Sequence, residues 1–349
     1  MKKVFSVFLA SALLVMMMAG CSGSNSSPAS SGAPSAAGSS AASDNKVYKI
    51  KFSTVLNENS TWYKMGQRIA ENMEKETNGR ILISCFANEQ LSGGNQQKGC
   101  EMLMNGSTEM DARSNMLWSV IDEKIGVYAI PFFYDSLEAL DAIIAGEGGK
   151  AHAAALDEYG VHLIGIGEYG DRLIATNKPV KSYEDMAGKK IRVASVPLHL
   201  NSMQAFGANP MAMNWSEMYT GLQQGTVDGM EAPAQVLIDN TVYEVCKYAY
   251  DCAWVSDPMT FGVNKEFYES LPDDLRAIFD KVCNEGLEWQ KTEQRQLNET
   301  AKKRLVEEFG VEVTVIDPAD KAKFEKAMES VVADYETKVG KDYLDKFRG

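Results

Sequence analysis

Two arginines embedded in apolar, strand-like stretches are the residues in this sequence best suited to binding chemistry. Arg192 sits inside Ile191-Arg192-Val193-Ala194, and Arg172 opens the run Arg172-Leu173-Ile174-Ala175-Thr176 just after Gly170. Desolvating an unpaired guanidinium costs several kcal/mol, so an arginine in a buried strand needs a partner. That partner is either an internal carboxylate, which makes the arginine a strut, or a ligand at the strand's edge, where open sheets place their ligands. The planar fork of arginine suits a carboxylate, which it grips through two parallel hydrogen bonds. The residues by themselves leave strut and clamp both open.

Other chemistries lack their residues. His152, His162 and His199 show neither metal-ligand spacing nor a nucleophile partner, and G-x-S-x-G, P-loop and H-E-x-x-H motifs are missing. The expectation is a protein that is not an enzyme and carries no cofactor or metal, with His199 the histidine that faces a cleft. Gly165-Ile166-Gly167-Glu168-Tyr169-Gly170 fits the dinucleotide fingerprint, but that fingerprint needs a helix at the turn. Here Asp171 to Thr176 reads as strand and Pro179 follows, so no nucleotide is expected. Cys85, Cys100, Cys246, Cys252 and Cys283 are odd in number, without metal spacing, and read as small buried hydrophobes. Cys246 and Cys252 could pair only across a turn.

The first residues set the compartment. Lys2 and Lys3 precede an apolar run from Val4 to Met18, and Ala19-Gly20 supply the small residues of a cleavage site. Those fifteen residues span roughly 22 Å, short of a membrane's hydrocarbon core. Cys21 directly after Ala-Gly resembles the lipobox of bacterial lipoproteins, with Met18 where leucine is usual, which implies a leader over 1–20 and acylation of Cys21. Ser22 to Asn45 consists almost entirely of Ser, Ala, Gly, Pro and Asn; it cannot bury enough surface to offset its ordering entropy and reads as a tether. Loss of Lys2 and Lys3 would take the net charge from −13 to −15, which excludes nucleic acid as a partner.

The body alternates strand and helix. Strands are predicted at Tyr48–Thr54, Arg80–Phe86, Val161–Gly167, Arg172–Thr176, Lys190–Ala194, Val227–Met230, Tyr248–Trp254, Met259–Val263 and Val311–Ile316. Helices are predicted at Thr61–Thr77, Gln96–Met104, Ser136–Ala145, Lys150–Tyr159, from Pro197, at Ser216–Gln224, over Pro272–Phe309, and after Asp317-Pro318. Ser182 with Asp185 resembles a capping box for a short helix. The alternation argues for an α/β protein with helices on both faces of a parallel or mixed sheet.

Over nearly the whole body the chain resembles the solute receptors of TRAP (tripartite, ATP-independent) transporters. The densest match is Gly207-Ala208-Asn209-Pro210 followed by Trp215-Ser216-Glu217-Met218-Tyr219 and on to Val227-Asp228-Gly229-Met230-Glu231. In order, Asn88-Glu89-Gln90-Leu91 with Gly93-Gly94, Ile130-Pro131-Phe132-Phe133, Gly188-Lys189-Lys190-Ile191-Arg192-Val193 and Tyr243-Glu244-Val245-Cys246-Lys247-Tyr248 also match. The resemblance implies a two-domain clamshell of mixed sheets flanked by helices, with a long helix crossing both domains. It places domain I at 46–169 plus about 258–297 and domain II at 170–257 plus about 298–349. It implies an exported monomer, anchored by lipid to the outer face of the membrane, that hands a small organic or sugar acid to membrane permease subunits. Receptors for ATP-driven importers and ligand-sensing ectodomains are the alternatives. The resemblance further implies that Arg192 pairs with the ligand carboxylate, that Arg172 assists, and that Trp215 lines the pocket. Ala232 stands where the family has an asparagine, and Asn209, Asn214 or Glu231 would have to compensate. Ser114, Asn115, Trp62 and Tyr169 complete the expected ligand contacts.

Overall fold

A single long strand organises the molecule. The computed structural model describes residues 46–134 and 136–348, so the leader, Cys21 and the Ser22–Asn45 segment lie outside the described residues. The elements in chain order are β1 (Tyr48–Thr54), α1 (Thr61–Glu76), β2 (Ile81–Phe86), α2 (Gln96–Met104), β3 (Met110–Ser114), α3 (Leu137–Ala145), α4 (Glu147–Asp157) and β4 (Val161–Thr176). Then come β5 (Lys190–Val193), α5 (Pro197–Ala205), β6 (Asn209–Ala212), α6 (Trp215–Gln223), β7 (Gly229–Pro233), α7 (Ala234–Asp239), β8 (Tyr248–Asp251) and β9 (Ser256–Asn264). The chain closes with α8 (Lys265–Glu269), α9 (Asp273–Glu307), β10 (Glu312–Val315), α10 (Pro318–Val339) and α11 (Lys341–Leu344). β4 belongs to two half-sheets. Its first part runs antiparallel to β9, which continues through β3 and β1 to β2. Its last residues, Arg172–Thr176, pair antiparallel with β7, and Ile174–Thr176 also with β8; β7 leads on to β5 and β6, and β8 to β10. The result is a mixed sheet in two lobes.

Local signals account for most helix starts. Ser60, Asn95, Ser136 and Asp317 each accept the backbone N–H three residues on, and Asn214 with Glu217 forms a reciprocal capping box. Asp185 instead accepts from the N–H groups of Lys181 and Ser182, and only one turn of 3₁₀ helix, Glu184–Met186, follows. No helix among the described residues is long and apolar enough to cross a membrane.

Two strands elude the sequence reading. β3 looks too polar, yet it is buried throughout, because Arg113 lies 2.6 Å from Asp111 and 3.2 Å from Glu89, so the guanidinium finds its counter-charges internally. β6 contains Pro210 and survives because it is the outermost strand of its half-sheet, where a missing N–H is tolerated.

β4 also corrects the expected break between the strands Val161–Gly167 and Arg172–Thr176. The strand runs unbroken through Gly165, Gly167 and Gly170, with its pairing to β9 shifting register between Gly167 and Gly170. These glycines are the landing track of α9. A Cβ at Gly165 would overlap Leu287, one at Gly167 would stand 2.6 Å from Gln290 Oε1, and one at Gly170 2.5 Å from Asn298 Nδ2. The 35-residue α9, roughly 52 Å long, packs on α1 with its N-terminal half and on α7 and β10 with its C-terminal half. The fingerprint glycines thus serve helix-on-strand packing.

All five described cysteines are free, and Cys246 and Cys252 do not pair. The last residues return to the first lobe: Tyr335 and Tyr343 donate to the carbonyls of Glu123 and Lys124, and Phe347 packs edge-on against Tyr128.

Candidate ligand-binding site

The two arginines stand on strands separated by β7, and their surroundings differ. Arg172 is the first residue of β4 to pair with β7, and it is buried. Its Nε donates to Glu231 on β7, its Nη1 to Asp257 on β9 at 2.9 Å, and its Nη2 to the Glu231 carbonyl at 3.3 Å. Burial opposes its charge, but Glu231, Tyr169 and Asp257 outweigh that and hold the guanidinium above the ordinary arginine value. Asp257 also accepts from the Ser114 hydroxyl and from the Met116 N–H at 3.3 Å. Burial pushes its carboxyl up to about 6, against the pull of Arg172.

Arg192 lies on β5, flanked by Met211 and Met230, and is equally buried. Its Nε and Nη2 both donate to the carbonyl of Met213, at 3.0 and 2.7 Å. Among the described residues no carboxylate lies within ion-pair distance of it and Nη1 has no acceptor. Burial pulls it down to about 10, with Glu231 the main opposing influence. Arg172 is therefore a neutralised strut, while Arg192 is a desolvated cation with part of its fork free.

Aromatic rings flank both guanidiniums. Arg172 sits 5.3 Å from the Tyr169 ring and Arg192 5.4 Å from the Trp215 ring, distances at which a cation is attracted to the π face. Trp62, whose Nε1 donates to the Glu168 carbonyl at 3.1 Å, packs on Tyr169 with ring centres 4.6 Å apart. The Tyr169 hydroxyl has no hydrogen-bond partner among the described residues, and charge interactions couple the ring to both arginines. Ala232, with no amide to offer, is fully buried beside Glu231.

The expected contacts thus divide. Arg172, Arg192, Trp215, Glu231, Tyr169, Trp62 and Ser114 converge on one buried cluster. Asn115 turns elsewhere, its amide donating to the Ile125 carbonyl and the Thr260 hydroxyl. Asn209 is exposed at the start of β6, and Asn214 caps α6. His199 is fully buried; Nε2 faces the Ala129 carbonyl at 3.2 Å and burial lowers its pKa to about 4, which keeps the ring neutral. Asp257 and the Met213 carbonyl escaped the sequence reading. A lone acid in Trp254-Val255-Ser256-Asp257-Pro258-Met259 carries the same signal that singled out Arg192, an ionisable group among apolar neighbours.

Residues of the two lobes meet around this cluster. Asn57 donates to the Asp239 carbonyl and to Asn240, and Gly94 lies so close to Ser216 that a Cβ would stand 2.5 Å from its Oγ. Trp215 forms the wall between Arg192 and an outer groove of about 430 Å³ lined by Asn57, Asn88, Tyr219 and Asn240. Among the described residues no group of three or more His, Cys, Asp or Glu could hold a metal.

The chain is similar to proteins of one kind. The profile described as "Bacterial extracellular solute-binding protein, family 7" matches residues 52–338. The C4-dicarboxylate-binding periplasmic protein of Rhodobacter capsulatus is 28% identical over 300 residues, covering 84% of this chain and 88% of that protein. A TRAP periplasmic solute-binding protein from Ralstonia eutropha, solved with bound (S)-2-hydroxy-2-methyl-3-oxobutanoate, superposes with a TM-score of 0.83 at 31% identity, covering 86% of this chain and 98% of that one. The sugar acid binding protein of Advenella mimigardefordensis, solved with galactonate, gives 0.82 at 25% identity over 86% and 97% of the two chains. With the profile matching most of the chain and the fold superposing on a TRAP solute-binding protein at 31% identity, the protein belongs to the bacterial extracellular solute-binding proteins of family 7, as a receptor of the TRAP type.

Proposed function

We propose that this chain captures a small carboxylate, an organic or sugar acid, between its lobes on Arg192 and delivers it to the permease subunits of a TRAP transporter without chemical turnover. The observation that carries this reading is the buried Arg192 fork, which has no carboxylate partner among the described residues and an open Nη1. A ligand carboxylate supplies the missing charge through the bidentate geometry that arginine favours. Trp215, Tyr169 and Trp62 wall the ligand, and Arg172 holds Glu231 and Asp257 in place around it. The lobes are assigned as 46–169 plus about 258–297 and 170–257 plus about 298–349, with β4 and β9 crossing between them. The receptor acts as a monomer outside the cell membrane, anchored through an acylated Cys21, which mass spectrometry of the membrane fraction reads as a diacylglyceryl-modified N-terminus.

Truncating each arginine tests the assignment of clamp and strut. Arg192→Ala is expected to weaken capture by roughly 2–5 kcal/mol, about 30-fold to several thousand-fold in Kd. It should scarcely change the stability of the empty protein, since no carboxylate is stranded. Arg192→Lys should restore capture only in part. Arg172→Ala should do the reverse to stability, costing roughly 3–5 kcal/mol because Glu231 and Asp257 lose their counter-charge. Calorimetric titration and denaturant melts give both quantities, and wild-type affinity in Arg192→Ala would return that residue to a structural role.

A further inference from the structure

The buried cluster contains a charge pattern that restricts which acids fit. Arg172 and Arg192 are its guanidiniums, and Glu231 and Asp257 its carboxylates; each of the four is 1% exposed or less. Within these four, Arg172 is paired with both carboxylates, and Arg192 is the cation left without an ion pair. A first ligand carboxylate finds the free edge of Arg192. A second would be desolvated with no counter-charge, which is strongly unfavourable in a site of low polarity. This quartet therefore offers a single counter-charge to an acid.

The unpaired polar atoms specify the rest of the ligand. Glu231 binds Arg172 through Oε2, while its Oε1 is buried without a donor. His199 is next to it electrostatically. The histidine's Nε2 faces a carbonyl, which only accepts, so Nε2 carries the proton and Nδ1 is a bare acceptor, also buried without a partner. Buried acceptors lacking donors are costly and rare in native proteins. Two such atoms, one of them on the carboxylate that acts on Arg192 and the other on a ring near that carboxylate, are acceptors for O–H groups on whatever lies between the lobes. A hydroxyl donates to them; a carboxylate or a bare alkyl chain cannot.

We propose that the site selects hydroxylated monocarboxylates, reading the carboxylate with Arg192 and the hydroxyl with Glu231 and His199, and rejects dicarboxylates of the same length. This rests on the receptor reading above and names its substrate class, with His199 as a residue that determines specificity.

The test is a thermal-shift screen of mono- and dicarboxylates with and without hydroxyls, followed by calorimetry on matched sets at constant pH. The sets are gluconate with glucarate and hexanoate, and 2-hydroxybutanoate with malate and butanoate. The hydroxylated monoacid of the set that binds is expected to exceed both its diacid and its deoxy partner by roughly tenfold or more. His199→Phe should shrink the hydroxyl preference and leave the monoacid-over-diacid ratio in place. The wild-type ratios decide the matter even where that variant folds poorly. A diacid that binds as tightly as its monoacid, with the same dependence on Arg192, overturns the charge rule and leaves the receptor reading standing. Equal binding of hydroxylated and plain acids overturns the hydroxyl rule in the same way. Capture of no carboxylate at all overturns the receptor reading and this inference with it.

Discussion

Asp257 links the lobes at the scale of single residues. It sits on β9, holds Arg172 of β4, and takes hydrogen bonds from Ser114 and Met116 of the first lobe, while Glu231 and the Tyr134 ring act on it or lie near it electrostatically. Burial raises its carboxyl from 3.8 to about 6. A carboxyl raised in the folded state contributes stability that is complete below its unfolded pKa and is lost as pH rises through the folded value. Wild type should therefore lose stability relative to Asp257→Asn between about pH 4 and pH 7, by an amount on the order of 3 kcal/mol. Urea melts of both proteins across that range measure the difference. Parallel curves would show that Asp257 titrates like an exposed acid.

Among the elements, α9 and β4 form the structural axis, and their contact is polar as well as close. Gln290 clasps the main chain of Glu168 in both directions, donating at 2.8 Å and accepting at 3.0 Å, and it also donates to Thr61 at the start of α1. Thr61 bonds Gln294, Gln294 bonds Asn298, and Asn298 donates to the Tyr169 carbonyl. This chain of amides lies where β4 changes register, and it can form because Gly165, Gly167 and Gly170 let the helix approach. Gly167→Ala places a methyl group against Gln290 and Met259 and should cost roughly 1–3 kcal/mol of stability. Denaturant titration checks this, and a variant as stable as wild type would mean that the helix has room to withdraw. Tyr169 carries the disturbance towards the ligand cluster, so capture should weaken in the same variant.

For the molecule as a whole, β4 and α9 run through both lobes, which meet around a desolvated cation. A ligand that pairs with Arg192 while Trp215 and Tyr169 enclose it binds the closed arrangement preferentially and shifts the population towards it. Small-angle scattering should therefore show compaction when a captured acid is added. An unchanged profile at saturating ligand would argue against hinged lobes. The C-terminal segment spans the same lobes: α10 packs on α5, and the residues from Tyr335 to Phe347 reach back to Glu123, Lys124 and Tyr128.

Most helices, the alternation of strand and helix, and the positions of both strand arginines were legible in the sequence, because periodicity, caps and an isolated charge among apolar residues are local signals. The ordered motifs identified the family for the same reason. What Arg172 and Arg192 do was not legible. Arg172 meets Glu231 59 positions away and Asp257 85 positions away, and only the pairing of β4 with β7 and β9 brings those carboxylates to it. Arg192, in an equally apolar strand, is left with the Met213 carbonyl alone. The polar strand β3 was missed, and β4 was read as two strands broken at its glycines, because a buried charge is recognisable by its partner and a glycine by what packs on it. Partners and packing neighbours distant in the chain are set by tertiary structure, so the folded chain alone decided which arginine remained free to hold a ligand.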